Sequence, residues 1–156
     1  MAGAFSGGMS GGAGAGRTSA GAGAGGAPST TSNREEVARI VVSASTNASE
    51  IDVVVYSDAS ADRTLGPARF GTSLDQPPAF FPAGSPEVES FLTDLAEVGD
   101  VSLIPIGQCA KSVSFGTTTT VTSNGKTSGD LQCLLNPAAA TQSLANDVAV
   151  LTSQPP

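Results

Sequence analysis

Cys109-Ala-Lys-Ser-Val-Ser-Phe-Gly-Thr-Thr-Thr-Thr-Val-Thr-Ser-Asn-Gly-Lys-Thr-Ser-Gly-Asp-Leu-Gln-Cys133 reads as a β-hairpin bracketed by the only two cysteines of the chain. Asn124-Gly125 supplies the positive φ that both central positions of a two-residue turn require, and β-prone residues flank it. Before the turn, Val113, Phe115, Thr117, Thr119 and Val121 share one face. Ser, Gly and Thr, with Thr118 and Thr120 among them, take the other, so one side packs and the other is wet. Two lone cysteines so placed imply a disulfide. The register resists it: a two-residue turn sets Cys133 opposite Gly116, while bonded Cα atoms must come within about 7 Å. Either the chain folds back near Ala110-Lys111, or a bulge shifts the register, or the bond is unmade.

Upstream, Glu36-Val-Ala-Arg-Ile-Val-Val-Ser-Ala44, Ile51-Asp-Val-Val-Val-Tyr56 and Arg63-Thr-Leu65 read as a three-stranded antiparallel meander. Polar clusters at 45–49 and 57–62 separate the strands. Residues 66–84 carry Gly66-Pro67, Gly71, Pro77-Pro78, Pro82 and Gly84 and read as loop. Phe70, Leu74, Phe80 and Phe81 lie within it, expected as a lid on the sheet or as a binding surface. Ser85-Pro86-Glu87 opens a helix, with Val88, Phe91, Leu92, Leu95 and Val98 on one stripe and Gly99 at its end. Asn136-Pro137 resembles another helix start, running to about Thr152 with Leu144, Val148 and Leu151 inward. The expected fold is α+β, a meander plus a hairpin with two helices packed on one face.

That domain spans 34–153 of the 156 residues, followed by a frayed tail at 154–156. Residues 1–33 hold more than half of the 19 glycines and too little apolar surface to offset ordering, so a disordered Gly/Ala/Ser-rich tether is expected. The net charge of −7, with scattered Lys and Arg, offers no basic face for nucleic acid. No run of 18 apolar residues is present, so no transmembrane segment is expected. Met1-Ala-Gly-Ala-Phe5 has neither a basic n-region nor an apolar h-region. A disulfide nonetheless points to the periplasm, the cell surface or secretion, reached through an upstream signal. The alternative is a cytoplasmic protein with reduced cysteines that begins at Met1.

With no histidine, the chain lacks Ser-His-Asp and Cys-His machinery and His-ligated zinc. Ser123-Asn-Gly-Lys126 fits Ser-x-x-Lys but falls on a β-turn. Gly125-Lys-Thr127 lacks the first P-loop glycine, Thr120 standing there. Asp58-Ala-Ser-Ala-Asp62 alternates oxygen ligands as a calcium loop would, but Arg63 replaces the glycine and Arg69 the bidentate Glu. Glu87 and Glu89 point about 200° apart on their helix. Asn47-Ala-Ser49 is a glycosylation sequon. No catalytic residue, metal site or cofactor is therefore expected.

A Gly/Ala/Ser tether followed by a domain with Cys109 and Cys133 resembles small exported proteins and lipoproteins of bacteria, including those with myxobacterial-type tethers. Ile51 to Thr64 resembles their opening hairpin and Cys109 to Cys133 their second, so the resemblance covers 36–153. Residues 1–33 contain no cysteine to lipidate, so any envelope anchor must come from an upstream signal. The resemblance transfers no catalytic residue, and the expected function is a non-enzymatic binding module whose partner is a protein, inhibition being one specific form of such binding. The expected contact surface is the Thr-rich hairpin face (Thr118, Thr120) or the aromatic loop (Phe70, Phe80, Phe81). A carboxylate- or metal-dependent enzyme, or a purely structural envelope component, is the alternative.

Overall fold

The computed structural model describes residues 34–46, 48–66, 78–111 and 116–153. The expected tether, Asn47, Phe70, Leu74, Val113, Phe115 and the 154–156 tail lie outside them.

β-branched density makes strands of β1 (Glu36–Val42), β2 (Ile51–Tyr56) and β3 (Ala61–Leu65), which form the expected meander. A fourth strand, β4 (Ala79–Phe81), pairs with β3 inside the stretch read as loop. Proline cannot donate to a ladder, so Pro78 and Pro82 confine β4 to three residues at the sheet edge. The hairpin, β5 (Thr119–Ser123) and β6 (Lys126–Thr127), adds to the other side of β1. The resulting order is β4-β3-β2-β1-β5-β6, antiparallel throughout. Helices α1 (Pro86–Val98) and α2 (Ala139–Ser153) complete an α+β fold.

Both turn residues take positive φ as expected, Asn124 at 52° and Gly125 at 72°. The arms are shorter than the sequence suggests, because side chains replace the ladder once Ser128 N has donated to Val121 O at 2.8 Å. Ser128 Oγ accepts the Val121 amide at 3.0 Å, and Asp130 Oδ1 accepts the Thr119 amide at 3.0 Å. Freed from the hairpin, the chain turns away and brings Cys133 beside the 104–109 segment. Gly107 N donates to Cys133 O at 2.7 Å, and Leu135 N to Pro105 O at 3.0 Å. The Cys109–Cys133 disulfide forms with its Cα atoms 5.5 Å apart. The register conflict is thus removed by ending β6 early. Gly129 is required in this departure, since a Cβ there would sit 2.5 Å from Ile106 Cγ1.

α1 keeps its expected bounds, although the Ser85 hydroxyl donates to Glu87 Oε2 at 2.6 Å instead of capping a backbone amide. α2 starts later than expected. Asn136 is left-handed at φ 45°, so Asn136-Pro137 forms the turn ahead of the helix rather than its cap. Val88, Phe91 and Leu95 of α1 and Leu144, Val148 and Leu151 of α2 meet Ala38, Ile40, Val53, Val55, Ala61, Phe81 and Val121 of the sheet in one apolar core. Among the described residues, no helix is long and apolar enough to cross a membrane.

Candidate functional site

Strand alternation sends every second residue to the face away from the core. The register aligns six of these in a single row: Phe80, Asp62, Val54, Arg39, Thr122 and Thr127, one from each strand. At the usual strand spacing the row is about 24 Å wide. A parallel row holds Thr64, Asp52, Val41 and Thr120. None of these ten residues is buried. The two contact surfaces expected from the sequence, Phe80 in the aromatic stretch and Thr120 in the hairpin, therefore share one open face. Thr118 is exposed just beyond β5, its amide held by Ser43 Oγ at 2.8 Å. Of the two readings of the aromatic stretch, Phe81 takes the packing one: at 2% exposure it belongs to the core and not to a contact surface, because its strand neighbour Phe80 takes the outward position. Phe70 lies outside the described residues.

One corner of this face is built around Arg34, which the sequence alone did not single out. Its guanidinium carbon lies 4.6 Å from the Tyr56 ring centroid and 5.6 Å from that of Phe80. Its Nη1 donates to Ser60 Oγ at 3.1 Å, and its Nη2 lies 3.8 Å from Asp62 Oδ2. The Tyr56 hydroxyl donates to the same carboxylate oxygen at 2.9 Å. Burial and this carboxylate push the Tyr56 phenol above its ordinary value, so it stays a donor at neutral pH. Phe80 remains 53% exposed beside this network. A cation between two rings, with both rings fixed by hydrogen bonds or strand pairing, is a rigid contact surface. Further along the row, Arg39 grips Asp52 with two parallel bonds, its Nε donating to Oδ1 at 2.9 Å.

The outer edge of β5 holds a second polar cluster. Burial alone would push the Asp130 carboxyl up, but Lys111 and the amides of Thr119 and Gln132 outweigh it and hold it below the usual range. Gln132 Nε2 donates to Thr117 and Thr119 hydroxyls at 3.0 and 2.9 Å. Ser128, Asp130 and Gln132 thus cover with side chains an edge that would otherwise be open to strand addition. Cys109, Cys133 and Asp130 bring two sulfurs and a carboxylate within 4.8 Å, but the disulfide takes both thiolates a metal would need.

Clefts gather near the hairpin turn. One of about 300 Å³ is lined by Glu35, Glu36, Thr122 and Asn124, and one of about 400 Å³ by Val37, Leu92, Leu95 and Asn124. A carboxylate pair lies elsewhere. Asp147 of α2 meets Asp94 of α1, and its Oδ2 is buried with no hydrogen-bond partner. Burial first, and then Asp94, push the Asp147 carboxyl up, against the opposing pull of Ser90. A raised folded pKa means the native state holds its proton longer than the unfolded chain. The associated stability is complete below the unfolded value of about 3.9 and is lost as pH rises through the folded one. Asp147→Asn is therefore expected to raise the thermal midpoint at pH 7 and to leave it nearly unchanged at pH 3. Thermal melts of both proteins across that range check this, and parallel curves would refute it.

No protein-family model, curated protein or solved structure matches the chain.

Proposed function

We propose that the chain is a non-enzymatic, exported or surface-tethered binding module that holds a protein partner on the open face of its sheet. The observation that carries this is the six-strand row ending in the Arg34–Tyr56–Phe80 cluster. Tyr, Phe and Arg are the side chains enriched where proteins meet, and a rigid aromatic anchor loses little entropy on contact. Arg34 and Arg39 are each matched by an aspartate within the face, so the surface is charge-balanced and suits a polypeptide better than a polyanion. The Cys109–Cys133 bond supports an extracytoplasmic setting, since such bonds persist where thiols are not kept reduced. The resemblance to exported bacterial proteins and lipoproteins, with anchoring through an upstream signal, agrees with that setting. An acid–base enzyme is the second reading, favoured by the Asp94–Asp147 pair alone.

Full-length bait proteins test the proposal. Wild type is expected to retain a defined set of proteins from the host's extracytoplasmic fraction. Tyr56→Ser/Phe80→Ser should lose that set, and Leu103→Ser/Leu135→Ser, altered at exposed apolar positions off the open face, should keep it. Equal recovery on all three baits would overturn the assignment of the face.

A further inference from the structure

Asp130-Leu-Gln-Cys133 sets two metal-binding side chains on one 3₁₀ turn, closed by Cys133 N donating to Asp130 O at 2.9 Å. Side chains at i and i+3 eclipse on such a turn, and the same spacing recurs between the ligands of zinc sites. Here the Cys133 sulfur lies 3.5 Å from Asp130 Oδ2. Cys109 brings a third donor from another segment, which Gly107 N pins by donating to Cys133 O at 2.7 Å. The two sulfurs and the carboxylate oxygen all lie within 4.8 Å of one another.

The carboxylate is already aimed. Its Oδ1 accepts the Thr119 and Gln132 amides at 3.0 and 3.1 Å, which leaves Oδ2 facing the sulfurs. Lys111 donates to Oδ2 and to Thr117 O. A carboxylate oxygen has two lone pairs, so Oδ2 can keep that ammonium and still face an ion.

In the oxidised chain the Cys109–Cys133 bond occupies both sulfurs. A dithiol reductant frees them. One of its thiolates attacks the sulfur of Cys109, which is exposed where Cys133 is half-buried, and Cys133 leaves as a thiolate. The second thiol of the reductant then displaces Cys109. The reductant departs as a disulfide, and its two electrons stay on the protein sulfurs. The two thiolates and Asp130 together carry three negative charges, which a divalent ion and Lys111 neutralise in full. Two thiolates and one carboxylate, with water in the fourth position, suit zinc better than a hard cation.

We propose that reduction converts this disulfide into a binding site for one zinc ion, held by Cys109 Sγ, Cys133 Sγ and Asp130 Oδ2. The site lies at the outer edge of β5 and does not rest on the function proposed for the open face.

The test uses the full-length chain, reduced with a phosphine that is then removed under nitrogen. Calorimetry should show saturable uptake of one Zn²⁺ by the reduced chain and none by the oxidised chain. Zn²⁺ should also raise the melting midpoint of the reduced chain, because the three ligands converge only in the fold. Asp130→Asn should lower the affinity at least about tenfold, and Asp130→Cys, which supplies a third thiolate, should raise it. No saturable uptake by reduced wild type, or uptake that leaves its melting midpoint unmoved, overturns the proposal. Equal uptake by oxidised and reduced protein overturns the thiolates as ligands, and unchanged affinity in Asp130→Asn overturns the carboxylate. The wild-type titrations decide the matter even if an Asp130 variant fails to fold.

Discussion

Replacing Cys109 and Cys133 together with serine will lower the free energy of unfolding by about 3.5 kcal/mol, the chain-entropy value for a loop of this length. The two cysteines are 24 residues apart, and the loop they close contains the whole hairpin. In the oxidised chain, unfolding cannot release that loop to its full range of conformations. The bond also has a native-state role. It fixes the segment before Lys111 against the segment after Asp130, and so keeps Lys111, Asp130 and Gln132 in place on the outer edge of β5. For a domain of about 120 residues the loss corresponds to a fall of roughly 10–20 °C in the melting midpoint. Urea unfolding of wild type with and without reductant, beside the double serine variant, measures it. Reduced wild type should match the variant, and a difference from oxidised protein below about 1 kcal/mol would show that the bond has little hold on the fold.

Phe91→Ala is expected to be as damaging, at about 3–5 kcal/mol, for a different reason. Phe91 is fully buried on the inner stripe of α1, within the cluster that joins both helices to the sheet. Truncation removes its transfer free energy and leaves a void that the β-branched Val53, Val55, Val121 and Val148 around that core are too stiff to fill. Phe80→Ala is the internal control. The residue type and the substitution are the same, but Phe80 is 53% exposed and should lose less than about 1 kcal/mol. Denaturant titrations of the two variants separate burial from aromatic content. Similar losses would mean that Phe80 is covered in solution.

The residues differ in how far their sequence pattern revealed their place. Pro86, Val88, Phe91, Leu95 and Gly99 gave α1 to the residue, because helix entry, apolar period and helix exit are all local signals. The Asn124-Gly125 turn was legible for the same reason. β4 was not, since three residues between prolines carry too little period to outweigh the turn signals, and only pairing with β3 makes them a strand. The length of β6 was also hidden. It is decided by Ser128 and Asp130 side chains competing with backbone for the β5 edge, which no spacing rule reports.

Of the candidate surface, Phe80, Thr118 and Thr120 were found in sequence, but their union on one face was not. They lie on strands that meet only through β1, β2 and β3, so the row exists only in the assembled register. Arg34 precedes the first strand and shows no pattern at all. The Asp94–Asp147 pair joins two helices whose relative rotation is set by packing, and neither residue is distinctive within its own helix.

Placing a photoreactive phenylalanine analogue at position 80 of the full-length protein in its native host, with position 150 on the exposed side of α2 as control, tests the working face most directly. The account predicts a discrete cross-linked protein species at position 80 that is absent at position 150. No cross-link at position 80, or the same products at both, would contradict it.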